Sequence, residues 1–302
     1  MTGSGKPVLV AGSANLDFVI RASHVPAPGE TVLGRDFATF PGGKGANQAI
    51  ACARAGGAAT RMLLALGSDS FAEPIENSLR SSGVQLDIVR CPERPTGTAF
   101  ICLSDDAENA ITVAPGANAS LRAWHLPDLS GIGTLLMQLE TPIETVEAYA
   151  RVARAAGVQV VLNAAPARPI PASLLAMVDV LVVNEGELAM VSGVQGDVTK
   201  ALAKIAVPCV IVTMGARGCL ARRGDELFRQ PAFRIDAVDT TGAGDTFCGT
   251  LVASLGRNES LGAALREASA ASAIACSRLG AQSAIPARAE VQALLATTEA
   301  MP

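Results

Sequence analysis

The chain has 302 residues, a net charge of −4 and a pI near 5.3, and 49% of its residues are hydrophobic. This length suits a single α/β domain over residues 1–302, and the acidic balance leaves no basic surface of the kind that binds nucleic acids or anionic membranes. No apolar run reaches the length of a membrane span and residues 1–7 contain no apolar signal segment, so we expect a cytoplasmic protein without a membrane partner.

Cysteine and histidine usage argues against several kinds of site. The seven cysteines form no closely spaced pairs, so neither a disulfide framework nor a zinc site is indicated. His24 and His125 are the only histidines, and neither lies near the glycine-flanked serine of a nucleophile elbow. The sequence therefore offers little for a Ser-His-Asp triad or a histidine metal site.

The chain opens with a predicted core strand followed by polar residues. The apolar run at 8–12 predicts a buried strand, and Asn15 and Asp17 come directly after it. Ligands of open α/β sheets bind outside the carboxyl ends of strands, so both residues are site candidates, although ordinary Asx-turn chemistry explains them equally well. Residues 18–40 then alternate in polarity around prolines and glycines, which favours strands of a small accessory sheet.

A glycine-rich loop leads into the first helix. Residues 41–48 read Pro-Gly-Gly-Lys-Gly-Ala-Asn-Gln, and the alanine-rich segment 46–55 predicts a helix. Because Gly45 rather than serine or threonine follows Lys44, the loop is not a Walker motif. The glycines allow the backbone to approach a small polar ligand, and a plain helix entry is the alternative.

The next segment predicts a strand, a helix and a hairpin. Residues 61–67 are typical of a core strand and 71–82 of a helix, while 96–113 resemble a hairpin around a polar turn at 104–108. We expect this hairpin to pair with the earlier accessory strands as a lid inserted into the main domain. The predicted lid segments are approximately 16–41 and 96–114.

The middle of the chain alternates strands with helices or loops. Predicted strands at 134–139, 159–162, 180–183 and 209–213 imply a parallel sheet with right-handed crossovers. Polar residues gather where these strands end, and carboxyl ends of parallel strands meet at one edge of a sheet. These strand-end residues are Glu140, Asn163, Asn184, Glu187 and Thr213.

The segment 237–256 joins a Gly-Ala-Gly turn to a predicted helix that begins close to Gly244 and Asp245. The free N–H groups and positive dipole end of such a helix favour an anion such as a phosphate. Taken alone, Asp245 is better explained as an acid that stabilises the helix start than as a functional residue. A second alanine-rich helix is predicted over 260–278.

Together these segments resemble the ribokinase-like (PfkB) family of carbohydrate kinases, most closely its ribokinase branch. The resemblance runs from about residue 8 to about residue 286. It implies a three-layer αβα sandwich with a mostly parallel central sheet, a small inserted β-sheet lid that excludes water, and homodimers formed through the lids. Six segments carry it in order, at 41–48, 137–140, 163–168, 184–187, 239–247 and 280–282.

The resemblance implies transfer of the γ-phosphoryl group of ATP to the 5-hydroxyl of D-ribose, with Mg²⁺ and a monovalent cation, usually K⁺, as cofactors. The implied catalytic set is Asp245 as base with the N–H groups of Gly242, Ala243 and Gly244. The implied sugar-binding set is Asn15, Asp17, Gly42, Gly43, Lys44, Asn47, Glu140 and Asp245. The implied nucleotide-binding set is Asn184, Glu187 (which also places hydrated magnesium), Thr213, Gly215, Ala216, Gly218, Gly244 and Ser269. The implied set for the monovalent cation, largely through main-chain oxygens, is Asp239, Thr241, Ala275, Arg278, Gly280 and Ala284.

Three positions depart from the family pattern. Ser269 stands where some relatives carry histidine or asparagine beside the adenine, and Cys248 replaces a common asparagine. Ser283-Ala284 replaces a usual proline-serine pair, which removes a hydroxyl near the implied cation and predicts a weakened dependence on potassium.

Several alternatives stay open from sequence. Kinases for deoxyribose or fructose differ by few contacts, and Phe18, Phe37, Phe40 and Phe100 in the predicted lid allow a nucleoside kinase, which stacks its base on aromatic rings. A non-catalytic sugar-binding or structural protein is an alternative of another class. A dehydrogenase is disfavoured because Phe247 stands where the dinucleotide fingerprint needs glycine or alanine.

Overall fold

The computed structural model describes residues 5–104, 106 and 109–299. The strands in this part of the chain are β1 (Val8–Ala11), β2 (Asn15–Arg21), β3 (Asp36–Gly42), β4 (Thr60–Leu66), β5 (Gln85–Arg90), β6 (Gly97–Leu103), β7 (Asn109–Ala114), β8 (Thr134–Met137), β9 (Gln159–Asn163), β10 (Val180–Asn184), β11 (Cys209–Thr213), β12 (Cys219–Arg223) and β13 (Glu226–Gln230). The helices are α1 (Lys44–Arg54), α2 (Ala72–Ser81), α3 (Ile143–Ala155), α4 (Ala172–Leu175), α5 (Glu185–Ser192), α6 (Val198–Lys204), α7 (Ala243–Gly256), α8 (Leu261–Cys276) and α9 (Arg288–Glu299).

The main sheet has the strand order β13-β12-β11-β10-β9-β8-β1-β4-β5. All strands from β11 to β5 pair in parallel, and β12 and β13 add an antiparallel hairpin at one edge. Successive residues of β1 point to opposite faces: Val8 and Val10 enter the core formed with α1, α7 and α8, whereas Leu9 and Ala11 enter the core formed with α3, α5 and α6. The predicted three-layer sandwich with a mostly parallel sheet is confirmed.

The small sheet has the order β3-β2-β6-β7, with β2 and β6 parallel and the outer pairs antiparallel. Its strands β2 and β3 lie between β1 and α1, and its strands β6 and β7 follow β5, so it extends from the carboxyl edge of the main sheet. Phe18 of β2 packs edge-on against Phe71 at the start of α2, with ring centroids 5.3 Å apart. The small inserted sheet is confirmed, and part of its predicted turn at 104–108 lies outside the described residues.

Four elements were not predicted from sequence. They are β5, the two hairpin strands β12 and β13, and α9. The hairpin strands contain Arg222, Arg223, Glu226 and Arg229, so they lack the continuous apolar run that marked the buried strands. Among the described residues, no helix combines the length and apolar character needed to cross a bilayer.

Candidate active site

Helices α1 and α7 cross at very close range, and this crossing places the first turn of α7 against α1. At Gly249 of α7, an added Cβ would lie 2.4 Å from the carbonyl oxygen of Gln48. The Cys52 thiol of α1 also donates to the Gly249 carbonyl at 3.2 Å. A glycine is required at this point because any side chain would collide with the facing backbone.

Asp245, in the first turn of α7, is buried and held from both sides by amides of α1. Asn47 Nδ2 donates to its Oδ2 at 3.0 Å, and Gln48 Nε2 donates to its Oδ1 at 2.8 Å. The Oδ1 atom of Asn47 is buried and has no hydrogen-bond partner among the described residues. The carboxylate is therefore oriented by the protein, and an unpaired acceptor lies beside it.

Glu140 links the glycine-rich loop at residues 41–48 to the segment that follows β1. Its Oε2 accepts from Ser13 Oγ at 2.5 Å and from the Lys44 N–H at 3.0 Å. Ser13 Oγ in turn accepts from the Gly45 N–H at 3.2 Å. Ser13 was missed from sequence, although its place at the end of a core strand was a usable signal.

The glycines of this loop make room for the chain itself. An added Cβ at Gly42 would lie 2.0 Å from Asp17 Oδ2, and one at Gly43, where φ is +89°, would lie 2.8 Å from Ala14 Cα. Gly45 packs in the same way against the backbone of Ser13. The sequence suggested that these glycines make room for a ligand. Their close packing against neighbouring parts of the chain explains them better.

Asp17 and Asn15 extend from β2 toward the same region. Burial raises the pKa of Asp17 to about 7, and the charges of Glu140 and Asp245 add to this effect. Asn15 is buried and its Oδ1 accepts from Asn118 Nδ2 at 2.8 Å. Three carboxyl groups thus share one polar region at the base of the small sheet.

A polar cavity of about 240 Å³ adjoins this region. Lys44 and Asp245 both line it, and the negative charge of Asp245 raises the pKa of Lys44 against the opposing effect of burial. Asn184 caps α5 by accepting from the Glu187 N–H, and Glu187 Oε2 accepts from the Asn184 N–H, both at 2.8 Å. Burial raises the pKa of Glu187, which also lines the cavity.

A larger cavity of about 640 Å³ continues from the first, since Thr213, Thr240 and Gly244 line both. Every residue of the predicted nucleotide set lines one cavity or the other. Much of the larger cavity's wall comes from residues 232–237, which lie between β13 and the turn before α7. That wall was missed from sequence because it carries no motif.

The turn before α7 has the backbone that the Gly-Ala-Gly sequence predicts. Gly242 adopts a φ of +72° as the residue preceding the helix, and the Ala243 N–H donates to the Thr240 carbonyl at 3.2 Å. An added Cβ at Gly244 would have no heavy atom within 4 Å, because this position opens into the two cavities. The helix start therefore faces free space large enough for a phosphate group.

The predicted cation loops are tied together by Asp239. Its Oδ1 accepts from the Thr241 N–H and its Oδ2 from the Gly280 N–H, each at 2.9 Å. Burial alone would raise the pKa of Asp239, but hydrogen bonds from the side chain and N–H of Thr241 and from the Gly280 N–H outweigh it and hold that pKa below its usual value. The Arg278 side chain is paired with Glu290.

Comparison with known proteins agrees with this geometry. The chain matches the model of the pfkB family of carbohydrate kinases over residues 6–288. It is 37% identical over 297 residues to a ribokinase from Haemophilus influenzae, a match that covers 94% of this chain and 97% of that protein.

Two solved structures are similar over nearly their whole length. A ribokinase from Thermotoga maritima has a TM-score of 0.89 and 36% identity, covering 96% of this chain and 99% of that one. An Arabidopsis thaliana ribokinase complexed with ribose and ATP has a TM-score of 0.88 and 32% identity, with the same two coverages. The resemblance seen in the motifs is thereby confirmed, and the chain belongs to the pfkB family of carbohydrate kinases.

Proposed function

We propose that this chain transfers the γ-phosphoryl group of ATP to the 5-hydroxyl of D-ribose, giving D-ribose 5-phosphate. One observation carries the proposal. The buried Asp245 accepts hydrogen bonds from two amides and lies between the carboxylate-rich region and two adjoining cavities large enough for a nucleotide. A relative of the same family that is 32% identical over 96% of this chain binds ribose and ATP in its solved structure, which supports this choice of substrates.

The polar region at the base of the small sheet suits a sugar. Vicinal hydroxyls both donate and accept, so a sugar site needs carboxylates and amides together. Asp17, Glu140, Asn15 and Asn47 supply that mixture, and the unpartnered Oδ1 of Asn47 is ready to accept from a hydroxyl. In the proposed role, Gly42, Gly43 and Lys44 complete the sugar set.

The two cavities suit the nucleotide. The larger one accommodates adenosine, and the smaller one, with Lys44 beside the start of α7, accommodates the phosphates. Phosphoryl transfer depends on positioning and on stabilising charge at the transferring group. The N–H groups of Gly242, Ala243 and Gly244 at the helix start and the Lys44 ammonium would provide that stabilisation, while Asp245 accepts the proton of the sugar hydroxyl.

The residues present fit both implied metal ions. No cluster of three or more histidine, cysteine, aspartate or glutamate side chains suited to a metal occurs among the described residues. Mg²⁺ on ATP keeps several waters and needs few protein ligands, so Glu187 in the phosphate cavity is sufficient to place it, and when bound it neutralises phosphate charge. For K⁺, Asp239 joins the segments of Thr241 and Gly280 by accepting from their N–H groups, and main-chain carbonyls of these segments would hold the ion. The full proposed cation set is Asp239, Thr241, Ala275, Arg278, Gly280 and Ala284.

The small sheet, within segments 16–41 and 96–114, is proposed to act as a lid on a single domain over residues 1–302. A closed lid would exclude water and suppress hydrolysis of ATP. We further propose that two chains associate through the lid face that carries Asp17, because Phe40, Ile111 and Val113 are exposed on that face. We also propose a cytoplasmic location, where ATP is available.

A nucleoside substrate is less well supported. Phe18, Phe37 and Phe100 stack on one another, on the face of the small sheet opposite to Asp17. Of the four lid phenylalanines, Phe40 alone shares the face of Asp17. Phe18, Phe37 and Phe100, which kept this alternative open, therefore lie on the side of the small sheet away from the proposed sugar site.

The test is ADP release by the purified protein with ribose, deoxyribose, fructose, adenosine and other nucleosides, each with and without K⁺. Ribose should give the highest kcat/KM. The Asp245→Asn variant should lose roughly 10²- to 10⁴-fold in kcat, the range typical of a lost general base, while calorimetry still detects ribose binding. No preference for ribose would refute the substrate assignment, and ribose binding without ADP release by the unmodified protein would favour the non-catalytic alternative.

A further inference from the structure

A network of three buried amides adjoins Asp245, and one of them, Asn163, also lines the smaller cavity. Gln48 is fully buried on α1, and its Nε2 donates both to Asp245 Oδ1 at 2.8 Å and to Asn163 Oδ1 at 3.1 Å. Its Oε1 accepts from Gln138 Nε2 at 2.7 Å. The network therefore joins α1, α7 and the ends of β8 and β9 at one point.

The donors and acceptors fix which way each amide points. Asn163 Nδ2 donates to the main-chain carbonyl of Val182 at 3.2 Å, so Asn163 must present its oxygen to Gln48. Gln48 must then present its NH₂ group to Asn163 and its oxygen to Gln138. A rotation of the Gln48 amide by 180° would place its oxygen against two acceptor oxygens, which is unfavourable in a buried site.

Gln138 is placed for this task by a glycine in the first loop. A Cβ at Gly12 would lie 1.9 Å from Gln138 Oε1, so only glycine leaves space for the amide there. Gln138 Oε1 is buried without a hydrogen-bond partner among the described residues. The Gln138 amide thus points its Nε2 at Gln48 and leaves its own Oε1 unpaired. Because an unpaired buried acceptor is unfavourable, this arrangement indicates that the orientation of the three amides is specified.

We propose that Gln48 is a positioning residue for the phosphoryl transfer: oriented by Gln138 and Asn163, it holds one oxygen of Asp245 so that the carboxylate faces the sugar hydroxyl. This inference rests on the proposed function. Gln48 has no exposed surface, so it acts through Asp245 rather than on a substrate. Amide N–H donors are neutral, so they can orient a carboxylate without placing a second positive charge beside it. Such a charge would weaken the attraction between the carboxylate and Lys44.

The test compares the unmodified protein with Gln48→Met, which keeps the length of the side chain and removes its donors. We expect kcat to fall by about tenfold to a hundredfold, as for a misplaced catalytic group, with KM for ribose and ATP changed by less than about threefold. Gln159→Met makes the same change at the other end of β9, away from the carboxyl edge, and should leave kcat unaltered. If Gln48→Met fails to fold, Gln138→Met frees the Gln48 amide to rotate and should lower kcat by about threefold to tenfold without a change in KM.

A double-mutant cycle separates positioning from general loss of structure. In the Asp245→Asn background, Gln48→Met should lower the residual kcat by less than about twofold, because its effect passes through the carboxylate. Equal kcat losses in both backgrounds, or KM rising as much as kcat falls, would overturn the proposal. An unmodified protein that does not phosphorylate ribose would instead refute the proposed function, whereas an active protein with an unchanged Gln48→Met variant refutes the positioning role alone.

Discussion

At the scale of single residues, Asp17 carries an unusual ionisation for a carboxylic acid. Its pKa is raised to about 7 by burial and by the neighbouring charges of Glu140 and Asp245. Between about pH 4, where this group ionises in the unfolded chain, and pH 7, the folded chain therefore binds one more proton than the unfolded chain. It follows that stability of the unliganded protein decreases as pH rises through this window, by a few kcal/mol at most.

We expect Asp17→Asn to remove this dependence. The variant should be more stable than the unmodified protein at pH 8 and similar to it near pH 4, as measured by thermal unfolding without sugar. In the unmodified protein, KM for ribose should fall as pH rises through 7, because the ionised carboxylate accepts hydroxyl hydrogen bonds at both oxygens. Equal pH slopes of stability in the two proteins would contradict this assignment.

Gly244 shows a conflict between stability and the proposed phosphate site. Its added Cβ would meet no protein atom, and the residue lies in the first turn of α7 with ordinary helical geometry. Gly244→Ala should therefore leave stability unchanged or raise it by about 0.4–1 kcal/mol. The same methyl group would occupy the space proposed for the γ-phosphate, so we expect KM for ATP to rise and kcat to fall in steady-state assays. Unaltered kinetics would show that the phosphate lies elsewhere.

At the scale of elements, the crossing of α1 and α7 determines the geometry around Asp245. Both amides that hold the carboxylate come from α1, and the carboxylate itself comes from α7. The distance between the two helices is set at Gly249, where the Gln48 carbonyl lies against the Cα. A small change in this distance would lengthen both hydrogen bonds together.

Gly249→Ala should for this reason impair stability and activity at once. Overpacking at a close helix crossing typically costs about 1–3 kcal/mol, and the separation of α1 from α7 should lower kcat more than it raises either KM. Gly262→Ala in α8 is a matched control, because a Cβ there meets no atom within 4 Å and should be tolerated in both assays. Thermal unfolding and ADP release should be measured on the same preparations. A Gly249→Ala protein with normal kcat would contradict the proposal that the distance between α1 and α7 positions Asp245.

At the scale of the whole molecule, the small sheet leaves apolar side chains uncovered. On the face shared with Asp17, Ile111 is 55% exposed and Val113 42%. On the opposite face, which packs partly on α2 through Phe18 and Phe71, Phe37 is 65% exposed and Phe100 55%. Contiguous apolar surface of this kind marks an interaction site more often than a free surface. A second copy of the chain is the occupant we propose.

Light scattering after size exclusion should therefore give the mass of a dimer. Ile111→Asp should convert it to a monomer, because a charge on a buried apolar contact has no partner. Phe37→Asp is the control on the opposite face and should leave the dimer intact. A monomeric unmodified protein, or equal effects of the two variants, would refute association through the Asp17 face.

Much of the architecture was predictable because its signals are local. Four successive apolar residues in β1 indicate a strand buried on both faces, and the helix entry at Gly244 follows from the residues around it. The edge strands β12 and β13 were missed because each is short and contains two charged residues that interrupt its apolar run. No motif marks residues 232–235 and 237, although they line the larger cavity.

The sequence by itself determined the family, the order of most strands and helices, and the candidate residues carried by glycine-rich motifs, because these depend on residues close together in the chain. Only the tertiary structure placed Gln48 on Asp245, which lies 197 positions away, and set Phe18, Phe37 and Phe100 on the face away from Asp17. Such contacts depend on how closely helices approach and which face of a strand is turned inward. Both are decided by packing, and the contact between Gly249 and the Gln48 carbonyl sets the distance between α1 and α7.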